Sequence, residues 1–395
     1  MKKYYKRTIE KKKSKISPRT LVSLVVLLIL CIVRLAVIPY AETQMALPEP
    51  KTEFSGLLDF WDIASVTVKG SKYSFQQTIC SEFAQKYSSF KINFTALSSL
   101  SPEETITLNS QKGHLPDVIR TKVGSFEFDP VLAIKDEVFC LELSQNYEPY
   151  IARTCNADGR LIADLYSNAS VILYNKEALA SLKQNAESRY TKDGFLQLLS
   201  ELRTRNVSEK YNIIDFPADN VSSFLPFALC EDGSFDTDYL KKISEYLPAE
   251  HAARTENECI NDFYSGNTLI YCGDLTDVNY LLRKREQGKL FDWAFSLYPA
   301  DGKEIVFIKE ITSYAFLESD DAERNNILKE FAEYMLSDDA LKYTENLGMI
   351  NCTSSVFEYE TYPHLKVFKD KNKIFYTCRD PDIKKLYSEI SNMFK

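Results

Sequence analysis

The chain has 395 residues, of which 45% are apolar and 13% aromatic, and 48 Lys and Arg stand against 56 Asp and Glu for a formal net charge of −8. That is more apolar material than one core usually spans, so two domains or lobes are expected. Nine Lys and Arg and a single Glu fall in the first twenty positions, which leaves −16 on residues 21–395. Such asymmetry marks a membrane boundary or a nucleic-acid tail, and the apolar run that follows argues for the membrane.

Residues 21–33 are apolar apart from Ser23, and after Arg34 the run continues to position 38. Eighteen to twenty helical residues span a bilayer core of roughly 30 Å, and Arg34 lies near the far end, where it can snorkel. The basic flank then stays cytoplasmic and the large acidic part lies outside. A cleaved signal peptide would want a small-x-small site where Pro39-Tyr40-Ala41 stands. A lipoprotein signal would want Gly, Ala or Ser at Leu30, before Cys31. The expected organisation is a cytoplasmic tail at 1–20, an uncleaved signal anchor at 21–41 and a polar linker with two prolines at 42–53.

The body opens with GLLDFWD, an apolar run ending in Trp61-Asp62 and expected to be a buried strand. Phe75, Ile79, Phe83 and Tyr87 then recur every fourth residue, one face of a helix. Residues 91–95 predict a second strand, Pro102 a helix start, and HLPDVI a turn into a third strand. Residues 131–151 predict a loosely defined helix and loop. Alternating strands and helices argue for a mainly parallel α/β sheet.

The stretch GRLIADLYSNASVILYNKEAL, residues 159–179, follows. It predicts a turn at Asp158-Gly159, a short strand at 161–163, a polar joint at 164–170, a second strand at 171–174 and a helix. Two strands joined through small polar residues can carry an extended chain from one packed body to the next, as a hinge does. Beyond it the pattern predicts helices at 191–202, 235–247, 321–336 and 382–394. Strands are expected at 210–216, 268–272, 291–298 and 305–310, with Ser265-Gly266 closing the helix that ends at Tyr264.

Eight cysteines lie beyond the anchor, with irregular spacing and no CxxC, and read as buried small hydrophobes more than as a disulfide framework. No GxGxxG, P-loop, HExxH or GxSxG occurs. The three histidines, at 114, 251 and 364, are not at metal-ligand spacing and read as surface or loop residues. Carboxylate pairs such as Asp219 and Asp236 could serve a glycosidase, but among 56 acids chance explains them. No cofactor or metal is expected, and an enzyme is disfavoured.

In open α/β sheets ligands sit outside the carboxyl ends of the strands. Those ends supply Trp61, Asp62, Thr121, Tyr166, Ser167 and Asp274 as candidate ligand-binding residues. An indole, a phenol, hydroxyls and carboxylates suit a polyol, whose ring has apolar C–H patches and many hydroxyls. The competing reading is a core anchor for Trp61 and a helix N-cap for Asp62 and Asp274.

At this point the pattern resembles the family 1 extracellular solute-binding proteins of ABC importers, the group that includes the maltodextrin-binding protein. LLDFWD followed by FAQKYSSFKINF is similar to the family's opening strand, helix and strand, and HLPDVI to its Gly-x-Pro-Asp-Val signature. GRLIADLYSNASVILYNKEAL resembles its crossover, FYSGNTLIYCGD its Phe-x-x-Gly-x-Ala-Met element, and FAEYMLSDDALKYTENLGMINCTSS its penultimate helices. These fall in the family's order over residues 54–360. The resemblance implies an α/β, two-lobed periplasmic-binding-protein-like fold of type II, each lobe a mainly parallel sheet flanked by helices. Lobe 1 would comprise 54–168 and 300–333, and lobe 2 169–299 and 334–395. It implies a small solute, a sugar or oligosaccharide, closed between the lobes and passed to ABC permease subunits. On that reading Trp61, Asp62 and Thr121 face the cleft from lobe 1, Asp274 from lobe 2, and Tyr166 and Ser167 sit by the hinge.

The chain departs from the family pattern in three places. Asp274-Leu275 stands where members often have Pro-Trp, Leu165 replaces a proline near the crossover, and Met349-Ile350-Asn351 replaces a Leu-Pro. One stacking platform is thereby missing, which raises the alternative of a non-transporting sensor or adhesion module on the same fold.

Overall fold

The computed structural model describes residues 54–393 apart from 64–65, 69–70, 88, 98–114, 124–131, 155–158, 206, 219, 289, 355–358, 360 and 371, and ahead of residue 54 it describes Arg34 alone. The expected tail, anchor and linker lie outside the described residues, as do Pro102, His114 and Cys155. Among the described residues no helix is long and apolar enough to cross a membrane.

Strand β1 (Gly56–Ile63) is followed by a small hairpin of β2 (Val66–Val68) and β3 (Ser71–Tyr73), helix α1 (Phe75–Gln85), β4 (Phe90–Leu97) and β5 (Val118–Val123). Helices α2 (Glu137–Ser144) and α3 (Pro149–Ala152) lead into a fourteen-residue strand, β6 (Ile162–Asn175). Next come α4 (Lys176–Ser181), α5 (Lys192–Thr204), β7 (Asn212–Asp215), α6 (Thr237–Ser244), α7 (Glu256–Tyr264), β8 (Thr268–Asp274), α8 (Leu275–Glu286) and β9 (Trp293–Ser296). A second long strand, β10 (Ile305–Phe316), precedes α9 (Ala322–Met335), α10 (Asp338–Leu341), β11 (Ile350–Asn351), β12 (Ile374–Thr377) and α11 (Pro381–Met393).

The helices start where the sequence offers caps. Thr191 and Asp321 accept from the first turns of α5 and α9, and Thr255 with Glu258 forms a reciprocal capping box on α7. Gly266 follows α7 with a φ of +82°, the left-handed conformation that suits glycine after a helix. Phe75, Ile79 and Phe83 are buried on one face of α1 as their spacing predicts. There Phe83 stacks on Phe331 of α9 at 4.7 Å, and Phe331 in turn meets Phe60 of β1.

The strands form one sheet in the order β4-β1-β5-β10-β6-β8-β7, with β11 and β9 on β6 and β12 on β10. Pairing is parallel for β4, β1 and β5, for β7 and β8, and for β10 and β12. Every pairing of β6 is antiparallel, and so is that of β10 with β5. The expectation of mainly parallel sheets is therefore corrected to a mixed one. The reason is that two long strands running in opposite directions are shared by both halves, and each brings antiparallel partners.

The joint expected at 164–170 is also corrected. β6 is continuous, pairing with β10 through residues 162–168 and with β8 through 170–174. Its polar side chains are buried with partners in place of water: Asp164 meets Arg379, Asn168 donates to Thr276 Oγ1, and Ser170 donates to the carbonyl of Ser222. Polarity here marks a partnered strand. β10 likewise runs on past the expected end at residue 310, with a register shift between Thr312 and Ser313.

Two cores lie along the shared strands. Leu161, Ala163, Tyr314 and Phe316 join the helices α1 and α9, while Ile172, Tyr174, Ile270 and Phe307 join α5, α6 and α11. In the second core Phe216 stacks on Phe224 at 4.3 Å. The seven described cysteines beyond the anchor are free thiols, five of them buried. His251 corrects the expectation of a surface histidine: it is buried against Phe216, with its Nδ1 3.4 Å from Asp215.

Candidate functional site

The carboxyl ends of β1 and β5 point toward the middle of the two shared strands, and so does that of β8 from the other half. The register places them in order. Arg120 of β5 pairs with Tyr314, Thr121 with Ser313, and Lys122 with Thr312, which itself faces Tyr166. Two steps along β10, Glu310 pairs with Asn168, and two steps along β6, Ser170 pairs with Asp274. Asp62, Thr121, Tyr166, Ser167 and Asp274 are thus gathered into one band across the crossing point.

In the first half Asp62 is fully buried and accepts a 2.6 Å hydrogen bond from the Tyr314 hydroxyl. Arg120 approaches the same carboxylate at 3.5 Å and donates to Thr312 Oγ1 at 3.4 Å. Burial works against the charge on Arg120, but the neighbouring Asp62 carboxylate outweighs it and holds the guanidinium charged. Burial also pushes the Tyr314 phenol well up, with the Asp62 charge adding to it, so that phenol stays a donor. Tyr166 is buried, edge-on to Phe75 with ring centres 6.1 Å apart. Ser167 Oγ donates to the carbonyl of Ile350 at 3.3 Å. Thr121 is placed through its backbone, and its side chain lies outside the described residues.

Trp61 points to the other sheet face, 4% exposed, among Ile119, Ala133, Ala315 and Leu317. That is the surrounding of a core anchor. Asp274 caps α8, accepting from the amides of Thr276 at 2.7 Å and Asp277 at 3.3 Å, and its other oxygen receives Lys309 Nζ at 2.8 Å. Burial raises the pKa of Asp274, but Lys309 and the two amides outweigh it and hold the carboxyl below its usual range. Asp277, close by, is pushed well above that range by burial first and by the Asp274 charge second.

Sequence reasoning missed Arg120, Lys309 and Arg379. Each is a cation set in or beside an apolar or β-branched run, VIRTKV, IVFIKEI and FYTCRD. A charge in such a run needs a buried partner, and that is the signal that could have found them. The signature residue Asp117 has its own task at the far end of β5. It accepts from Arg324 at 2.5 and 2.7 Å and from the Asp59 amide at 2.7 Å, fastening α9 to the start of the sheet.

No protein-family model matches the chain, and no curated protein matches it by sequence. Solved structures do match it by fold. A probable secreted solute-binding lipoprotein from Streptomyces coelicolor superposes with a TM-score of 0.63 at 11% identity, over 86% of this chain and 94% of that one. The fold is that of the solute-binding proteins. The maltose-bound MalE3 of T. maritima gives a TM-score of 0.58 at 14% identity, covering 86% and 94%. The GacH receptor of Streptomyces glaucescens, solved unliganded and with acarbose, gives 0.56 at 14% identity, covering 87% and 94%. The similarity extends over almost the full length of each of these chains, so the solute-binding fold is present here as a whole.

Proposed function

We propose that this protein is a membrane-tethered extracellular receptor that captures a small solute, a sugar or oligosaccharide, between two lobes and delivers it to an ABC permease. The observation that carries this reading is the pair of continuous strands, β6 and β10, that run through both halves, with the carboxyl ends of β1, β5 and β8 meeting at their midpoint. Asp62 and Thr121 present the first half to the ligand, Tyr166 and Ser167 the crossing, and Asp274 the second half, with Trp61 backing the first. A ligand that touches both halves favours the closed arrangement by its differential affinity, and that population shift is the signal a permease reads. Such a receptor turns nothing over. The maltose and acarbose complexes of fold neighbours support a saccharide, and the basic tail with the apolar run at 21–41 supports an anchor with the body outside.

Titration calorimetry of the full chain against saccharides, amino acids and peptides tests the reading. Saccharide binding with a single site is expected, and binding of amino acids or peptides alone would contradict it. A second reading, a sensor or adhesion module, is favoured by one observation: Asp274 is committed to capping and to Lys309 where the family's stacking platform is missing. Loss of uptake of the bound sugar in a deletion strain is expected from the first reading and would rule out the second.

A further inference from the structure

Among the described residues, three polar groups on elements that meet at Tyr166 carry buried atoms with no hydrogen-bond partner. Gln76, in the first turn of α1, is 1% exposed, and neither its amide oxygen nor its nitrogen is hydrogen-bonded. Asn351 is 3% exposed; its oxygen accepts from Thr344 but its Nδ2 is unpaired. The Nε of Arg120 is unpaired as well.

Their placement follows from the backbone. Asn351 lies directly opposite Tyr166 in the β11–β6 pair, and opposed residues of antiparallel strands carry their side chains on one face. Phe75 sets the start of α1 against the same Tyr166 ring. Four residues after Gln76, and therefore one turn along its face, Cys80 lies within the field of Asp62.

Buried polar atoms in folded proteins are almost always paired, so three unpaired groups at one place point to a polar occupant that the chain does not supply. Its character follows from what faces it. The amide of Gln76 both donates and accepts, as the hydroxyls of a sugar do. We propose that Gln76 and Asn351 are ligand-contacting residues whose amides hydrogen-bond the hydroxyls of a saccharide unit. This rests on the receptor reading above and names two contacts of its site.

The test is calorimetric titration of the full chain with maltotriose and raffinose as neutral probes. Gln76→Met keeps the side-chain volume without the amide, and Asn351→Ala removes the second donor. A neutral probe is expected to bind the parent protein, and each substitution to weaken it about tenfold or more, as loss of a hydrogen bond to a buried partner does. Gln76→Met should also raise the melting midpoint of the ligand-free protein, because it deletes an unpaired buried amide. A neutral probe bound equally by the parent and both variants would overturn the assignment of the two residues, and a lowered midpoint for Gln76→Met with unchanged affinity would show that the amide serves only the fold. If no saccharide binds the parent protein, the receptor reading itself fails and this inference with it.

Discussion

Arg379 holds Asp164 in a two-pronged ion pair, Nη1 to Oδ2 and Nη2 to Oδ1, each at 2.6 Å. Ser313 completes the set by donating to the same carboxylate. Arg379 sits in the turn between β12 and α11, and α11 packs into the second core, whereas Asp164 stands in the part of β6 that serves the first half. Beside it Tyr150 of α3 stacks on Phe375 of β12 at 4.1 Å, and Arg153 reaches Asp380 at 3.3 Å. The end of the chain is thus a strap across the crossing point.

Arg379→Ala should cost about 3–5 kcal/mol of stability, since it strands a fully buried carboxylate. Arg379→Lys should recover only part of that, because an ammonium cannot reproduce both prongs. Denaturant unfolding of the two variants checks this, and a loss below about 1 kcal/mol for the alanine variant would mean that the pair contributes little.

The pair Asp274 and Asp277 predicts an opposed pH response. Asp277 has its pKa raised by burial and by Asp274, so its contribution is fully present below the unfolded value, about 4, and is lost as pH rises through the folded one. Asp274 has its pKa lowered by Lys309 against the effect of burial, so its contribution is present above the unfolded value and is lost as pH falls through the folded one. Asn at 277 has no proton to lose. Asp277→Asn should therefore match the parent near pH 4 and exceed it increasingly toward pH 8. Melting midpoints across that range decide the point, and parallel curves would contradict it.

Much of this fold could be read from the sequence because the chain obeys simple periods. The fourfold repeat at Phe75, Ile79 and Phe83 is a buried helix face, and Thr191, Asp321 and Ser265-Gly266 mark helix ends where they were expected. What could not be read depended on distant partners. The run from Asp164 to Ser170 looks like a solvated joint until Arg379, 215 residues away, and Thr276 are in place. Asp274 shows in sequence as a cap or a ligand group, but its bond to Lys309 follows only from the fold. Gln76, in a helix start, carries no sequence signal that its amide is buried and unpaired.

Asp117→Ala removes the partner of Arg324 and of the Asp59 amide at the amino end of β5. Arg324 keeps some access to water, so the expected loss is about 2 kcal/mol, with ligand affinity unchanged because the residue lies at the opposite end of β5 from the crossing. A drop in affinity with unaltered stability would contradict this placement.

Trp61→Ala distinguishes a platform from an anchor. The indole is enclosed by Ile119, Ala133, Ala315 and Leu317, so the substitution should destabilise the protein by about 3–5 kcal/mol, as large-to-small changes in a core do. Weakened saccharide binding at full stability would instead make Trp61 a contact of the ligand.

The most direct test of the account is a thermal-shift measurement on the full chain with neutral saccharides. A ligand about a thousandfold above its dissociation constant adds roughly 4 kcal/mol of stability, which in a chain of this size raises the melting midpoint by several degrees. The account predicts such a rise with at least one neutral saccharide. No shift with any saccharide would contradict it.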